Sequence, residues 1–198
     1  MTALTIPSQT KESVAIPPKL ITAEELAQTA ELGRGELVEG KFIEMPPPKY
    51  RHGRVEVRIS QALANYEDKM ESGVAAGGEV GIIIKRNPDT VRAADALFIS
   101  NERLAQIAST SGYLDVAPEL VVEVMSPSDR WTDVRRKLDE YFTAGVLEIW
   151  VAEPETKSVY IYREGGTRLI RLTENDVLVS EALLPEFSLP LKKIFKGI

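Results

Sequence analysis

Apolar residues return along this chain in two rhythms, one of three to four positions and one of two. Between residues 52 and 70, Val55, Ile59, Leu63 and Tyr66 recur at helical spacing and predict a long amphipathic helix. A second such run, DRWTDVRRKLDEYFTAG at 129–145, turns Trp131, Val134, Leu138 and Tyr141 to one side and stops at Gly145, a residue suited to a helix C-terminus. Three shorter runs lie between them. EVGIIIK (79–85), VRAADALFIS (91–100) and PELVVEVMS (118–126) read as strands, the first two joined by the turn RNPD, and LEIWVAEP (147–154) adds a strand after the second helix.

The flanks carry weaker signals. TAEELAQTAEL (22–32) offers Thr22 as an N-cap with Glu25 three residues on, the capping-box spacing before a short helix. GELVEGKFIEMPPP (35–48) reads as a hairpin turning at Glu39-Gly40 and ended by its three prolines, and SVYIYREGGTRLIRL (158–172) as another turning at Gly165-Gly166, followed by FSLPLKKIF. Residues 1–20, with Pro7, Pro17 and Pro18 among polar residues, show no periodicity and read as an arm, leaving 21–198 as one domain. A strand-helix-strand unit such as 119–152 normally closes as a right-handed parallel crossover. The expected class is therefore α/β (α+β), a mixed central sheet flanked by helices, with hairpins added at both ends.

Composition narrows the chemistry. The 198 residues are 43% hydrophobic and 27% charged, ordinary for one soluble domain, with no apolar run long enough to span a membrane and no secretory pattern at the start, so a cytoplasmic location is expected. There is no cysteine and one histidine, which excludes a disulfide framework, a thiolate metal site, a cysteine nucleophile and any site needing two histidines. A net charge of -6 argues against indiscriminate nucleic-acid binding but allows a local basic groove.

Within that frame Glu123 stands out, a carboxylate in the middle of the apolar run Leu120-Val121-Val122 and Val124-Met125. Burying a charge costs several kcal/mol, on the order of the whole stability margin, unless something compensates it. Side chains alternate along a strand, so Glu119, Val121, Glu123 and Met125 are expected on one face, and Ala93, Asp95, Leu97 and Ile99 on one face of the preceding strand. Paired, the strands would present Asp95 and Glu123 to one spot, where two anions share a proton or a cation. Mg²⁺, with Mn²⁺ as substitute, suits such a site because it takes oxygen ligands. The Val124 carbonyl is a further candidate ligand. Lys137 sits at the border of the apolar stripe of the second helix, from which its ammonium can reach the strand ends, although Asp133 four residues earlier offers an ordinary helix pair.

VRAADALFIS, APELVVEVMSPSDR and KLDEYFTAGVLEIWVAEP, with GELVEGKFIEMPPP and LLPEFSLPLKKIF, resemble the Uma-type endonuclease family of the PD-(D/E)xK, restriction-endonuclease-like superfamily, over about residues 20–195. The resemblance implies a restriction-endonuclease-like core and Mg²⁺-dependent hydrolysis of DNA, with Asp95 and Glu123 at the superfamily's two acidic positions. The lysine expected two residues after the second acid is replaced by Met125, and the Uma-type pattern carries it on the next helix, at Lys137. Asp95, Glu123 and Lys137 are thus the expected catalytic residues. Glu39 and His52 fall on family-typical polar positions, and Glu79 is a further acid at the rim. Arg51, Arg54 and Arg130 lead a set with Arg58, Arg135 and Arg136 as phosphate contacts. A homodimer is expected because cutting two strands needs two sites. The competing expectation is a catalytically inactive module that keeps the fold for DNA binding or protein interaction.

Overall fold

In the computed structural model, residues 19–29, 32–109 and 112–198 are described, and the expected arm, apart from Lys19 and Leu20, lies outside them. In chain order the elements are α1 (Ala23–Gln28), β1 (Gly35–Val38), β2 (Lys41–Glu44), α2 (Tyr50–Met70), β3 (Gly73–Lys85), β4 (Thr90–Ser100) and α3 (Asn101–Leu104). There follow β5 (Leu120–Val124), α4 (Trp131–Ala144), β6 (Glu148–Glu153), β7 (Ser158–Arg163), β8 (Arg168–Thr173), β9 (Val177–Ser180), β10 (Leu184–Pro190) and α5 (Leu191–Ile194). Among the described residues no helix is long and apolar enough to cross a membrane.

Eight strands form one mixed sheet in the order β2-β1-β4-β5-β6-β7-β8, with β3 also paired to β4. Among the described strands only β5 and β6 pair in parallel, joined across α4 as the strand-helix-strand pattern required. Alternation sorts the apolar side chains between two layers. Ala96, Phe98, Leu120, Val122, Val124, Trp150 and Ala152 pack against Val55, Ile59, Leu63 and Tyr66 of α2. Leu97, Ile99, Val121, Met125, Ile149 and Val151 pack with Leu138 and Tyr141 of α4. The capping box of α1 forms in both halves, Thr22 with Glu25, and seats Ala23 and Leu26 over Leu37 and Val91.

Several elements differ from the sequence reading. α1 ends at Gln28, before Leu32, and α2 begins two residues earlier than His52. β3 begins at Gly73, six residues before Glu79, because the Gly- and Ala-rich stretch has little strand propensity of its own but finds a complete partner in β4. The added hairpin of β7 and β8 extends the main sheet, and β9 with β10 makes a separate two-stranded sheet.

β4 organises the rest. β3 pairs with it along residues 90–100, so β1 and β5 must share its other edge. On that edge Val91 pairs with Leu37 of β1, and Ala96, Leu97 and Phe98 pair with Val122, Val121 and Leu120 of β5. Between the two contacts the ladder is open. Opposite, the register of β3 shifts between Gly77 and Val80, so Gly78 and Glu79, both at positive φ, bulge out against Asp95. The alternation expected through Asp95 slips at this point: Ala94, not Ala93, packs with Leu97 and Ile99. A bulge on one edge and a missing partner on the other leave this stretch free of the regular pleat.

Two glycines test the packing. A Cβ on Gly73 would stand 2.3 Å from the Ile99 carbonyl oxygen, which belongs to the β4 ladder and cannot swing away, whereas a Cβ on Gly53, inside α2, meets nothing within 4 Å. Gly73→Ala should therefore destabilise the fold by about 1–3 kcal/mol. Gly53→Ala should stabilise it by about 0.5–1 kcal/mol. Urea unfolding of the two variants beside the wild type checks both signs.

Candidate active site

The open stretch of β4 still has backbone groups to satisfy, since a buried N–H or C=O left unpaired costs about 1–3 kcal/mol. Side chains replace the missing strand. The Ala93 N–H donates to Glu36 of β1 at 3.0 Å, and the Ala93 carbonyl accepts from Lys137 Nζ of α4 at 3.0 Å. Farther along, the Val124 N–H of β5 donates to Asp95 Oδ2 at 2.6 Å. Three ionisable side chains are thereby fixed by the backbone of two strands.

Around them the charges interlock. Lys137 Nζ lies 2.8 Å from Glu123 Oε2 and 2.9 Å from Glu36 Oε1. The other oxygen of Glu123 accepts from the Tyr141 hydroxyl at 2.8 Å, and Arg92 joins Glu36 at 2.7 Å to Glu140 at 2.6 Å. Glu123, its side chain 14% exposed, is thus the largely buried charge in the apolar run, and both its oxygens are engaged from α4.

Burial pushes the Glu123 carboxyl up to about 7, helped by the negative charges of Asp95 and Glu36 and opposed by Lys137. The same burial works against the Lys137 ammonium, but Glu123 and Glu36 outweigh it and hold its pKa above the ordinary lysine value. For Glu36 burial acts upward, and Lys137 with Arg92 overcome it to hold the carboxyl below its usual range. At neutral pH this leaves a fixed ammonium and a Glu123 carboxyl poised between its two protonation states.

Asp95 engages α2 instead. Its Oδ1 lies 3.4 Å from His52 Nε2, and His52 Nδ1 lies 3.6 Å from Glu56 Oε2, one turn along the same helix. One ligand atom from each of His52, Glu56 and Asp95 falls within 4.8 Å of the others, a spacing at which a single ion can be held. Burial acts to lower the His52 pKa, but Asp95 and Glu56 raise it overall, while burial and the Asp95 charge raise that of Glu56. His52 Nδ1 is buried without a hydrogen-bond partner. One imidazole, facing Asp95 with Nε2 and Glu56 with Nδ1, and two carboxylates are a donor set that fits a divalent cation.

Of these groups, all but Glu56, Tyr141 and Glu140 border one cavity of about 400 Å³, with Asp95, Glu123, Val124, Lys137, His52 and Glu79 among its walls. Glu79, on the bulge, ion-pairs with Arg34, and Arg130 and Arg136 also line the cavity. Val124 meets Asp95 through its N–H. The other residues singled out in the sequence lie outside the cavity. Glu39 occupies the β1–β2 turn at positive φ, 3.7 Å from Lys85. Arg51 pairs with Glu155 at 3.0 Å, and Arg54 lies beside Gly197. Arg58 hydrogen-bonds Gln61 at 3.0 Å.

Glu36, Glu56 and Glu140 escaped the sequence reading, and Tyr141 entered it only as an apolar position. Glu56 carried a signal, four residues after the single histidine on a helix. For Glu36 the only signal was a carboxylate beside Leu37 in a short strand.

Comparison with known proteins agrees with this architecture. A family model, Uma2, described as "Putative restriction endonuclease", matches residues 23–192. A crystal structure described as a putative nuclease belonging to DUF820, from Anabaena variabilis, superposes with a TM-score of 0.71 at 19% identity, covering 88% of this chain and 97% of the other. At that identity the likeness shows the fold alone. A search of curated proteins found no match.

The raised Glu123 pKa has a consequence for stability. The folded protein keeps this proton up to pH about 7, whereas the unfolded chain releases it near the ordinary 4.5. Between those values the native state binds more protons, so Glu123 makes stability fall as pH rises. At 1.36 kcal/mol per pKa unit the total is on the order of 3 kcal/mol. The stability of the wild type relative to Glu123→Gln should therefore decline from pH about 4.5 to about 7 and level off above. Denaturant titrations of both proteins across that range check it, and a flat difference would refute the assignment.

Proposed function

The chain belongs to the Uma2 family, and on that premise we propose that it is a metal-dependent endonuclease hydrolysing DNA phosphodiester bonds. One observation carries the reading: Lys137 reaches from α4 to within 2.8 Å of Glu123, in the cavity that Asp95 also lines. An acid, a second acid and an ammonium of separate origin in sequence are what phosphodiester hydrolysis requires at one place. The lysine missing at position 125 has a substitute there.

Asp95 would hold the divalent cation, which when bound supplies positive charge to the scissile phosphate. The chain's own residues supply the rest. Glu123, with its pKa near 7, accepts a proton from the attacking water at neutral pH. Tyr141 and Lys137 hold both its oxygens, so its lone pairs keep one orientation. Lys137 remains charged and places its ammonium where negative charge develops on the phosphate oxygens. Arg130 and Arg136, which line the cavity, would be its nearest phosphate contacts. Cutting both strands of a duplex takes two such sites, so the reading includes a homodimer.

The decisive assay offers supercoiled, linear and single-stranded DNA, and RNA, to the protein with Mn²⁺ or Mg²⁺. Cleavage of DNA is expected. Lys137→Met should lower the rate by a factor of about 100 to 1,000 while leaving metal binding intact, as the loss of a charge-stabilising donor does. Arg51→Ala should leave it unchanged. A wild type inactive on every substrate would instead support the non-catalytic module, and an active Lys137→Met would remove the lysine from the mechanism.

A further inference from the structure

Arg54 and Arg58 lie outside the cavity, yet they begin a polar stripe along α2 that continues through Gln61, Asn65 and Lys69. At about 100° per residue, Arg58 stands about 120° around the helix from His52, so the stripe occupies another face. It borders a second groove, of about 420 Å³, whose far wall is β10 and α5 with Ser188 and Lys193. The buried side chains of Tyr66, Phe187, Leu189 and Ile194 give this groove an apolar lining. Arg58 Nη1 donates to Gln61 at 3.0 Å, but its Nε is buried without a hydrogen-bond partner. A guanidinium N–H withdrawn from water in this way lacks a bond that a ligand oxygen would supply. Charge gathers at the same place. In a chain of net charge -6, Arg54, Arg58, Lys69 and Lys193 are joined by Lys192 and Lys196 of the C-terminal segment, which reaches Arg54 at Gly197. Glu186 is the one carboxylate lining the groove. Among the described residues it pairs with Lys69 alone of these cations, at 2.7 Å, and both partners are exposed, so an anion can displace the pair.

We propose that the groove between α2, β10 and α5 is a second ligand site, which takes a phosphate carried on a flat apolar body, the chemistry of a nucleotide. Arg58 and Lys193 hold the phosphate, and the ring lies against the apolar lining. The guanidinium presents planar donors that match phosphate oxygens, and the lysines add point charge. Gln61, Asn65 and Ser188 bring both donors and acceptors, as the edge of a base requires. A bare phosphate would use the cations and leave the apolar lining uncovered, whereas a ligand with an apolar body and a few polar contacts uses both. The nucleotide has two sources, a free mononucleotide or the phosphorylated end of a nucleic-acid strand. The proposal does not rest on the nuclease reading, since no residue of the first cavity takes part.

Calorimetric titration of the full chain without divalent metal tests this, with 5′-dAMP, inorganic phosphate, deoxyadenosine and a short 5′-phosphorylated single-stranded oligonucleotide as probes. The nucleotide, free or at the strand end, should bind more tightly than phosphate or deoxyadenosine, and added salt should weaken it. Arg58→Gln should lower that affinity by ~10-fold or more, the loss of a charge-assisted hydrogen bond. Lys193→Gln should lower it as well, and Lys137→Met, in the other cavity, should leave it unchanged. Tight dAMP assigns the site to free nucleotides, and a tight oligonucleotide with weak dAMP assigns it to strand ends, provided that either depends on Arg58. No binding of either, phosphate alone as tight as both, or affinity lost with Lys137 and kept without Arg58 overturns the site. If Arg58→Gln fails to fold, Lys193→Gln, at an exposed position, decides. Because nothing is cleaved in this measurement, its outcome leaves the nuclease reading where the cleavage assay puts it.

Discussion

The interruption of the β4 ladder is the constraint on which the site depends. A continuous sheet would bury the Ala93 amide and carbonyl against another strand and leave no room for chemistry. Here β1 and β5 divide one edge of β4 between them, and Glu36 and Lys137 take the place of the absent backbone. The charges are therefore part of the sheet's own hydrogen bonding. This is why a lysine and several carboxylates can be kept nearly dry: each is tied to the backbone, to an opposite charge or to both.

Much of the fold was legible because its signals are local. The 3.6-residue rhythm of α2 and α4, the apolar runs of β4, β5 and β6, and the Thr22 capping box each express a preference that the tertiary structure keeps. The missed pieces are those with weak local preference. Gly73 to Gly78 become strand only because β4 is there to pair with, and β9 with β10 is too short and irregular to announce itself.

For the site, sequence patterns put forward Asp95, Glu123, Lys137 and Glu79, and the family resemblance His52 and Glu39; all but Glu39 border one cavity. Strict alternation was nevertheless the wrong guide to Asp95, because a bulge on β3 is invisible in the sequence of β4. The arginines could not be ranked, since position along a helix says nothing about which ones find a glutamate first, as Arg51 does with Glu155. Glu36 was hidden for a related reason. Its role is to satisfy another strand's amide, and no property of β1 alone reveals that β4 lacks a neighbour there.

The sharing of Lys137 between Glu36 and Glu123 bears on how such a sequence can drift. Removing either carboxylate leaves the ammonium with too little negative charge in a buried place, and removing the lysine leaves two carboxylates facing each other. Replacement energies at these three positions will not add, because every single change exposes a different unpaired partner. Their residues can be exchanged only in combination. A route from one charge arrangement to another at this sheet break must then pass through paired changes or through intermediates whose stability is held up elsewhere in the fold.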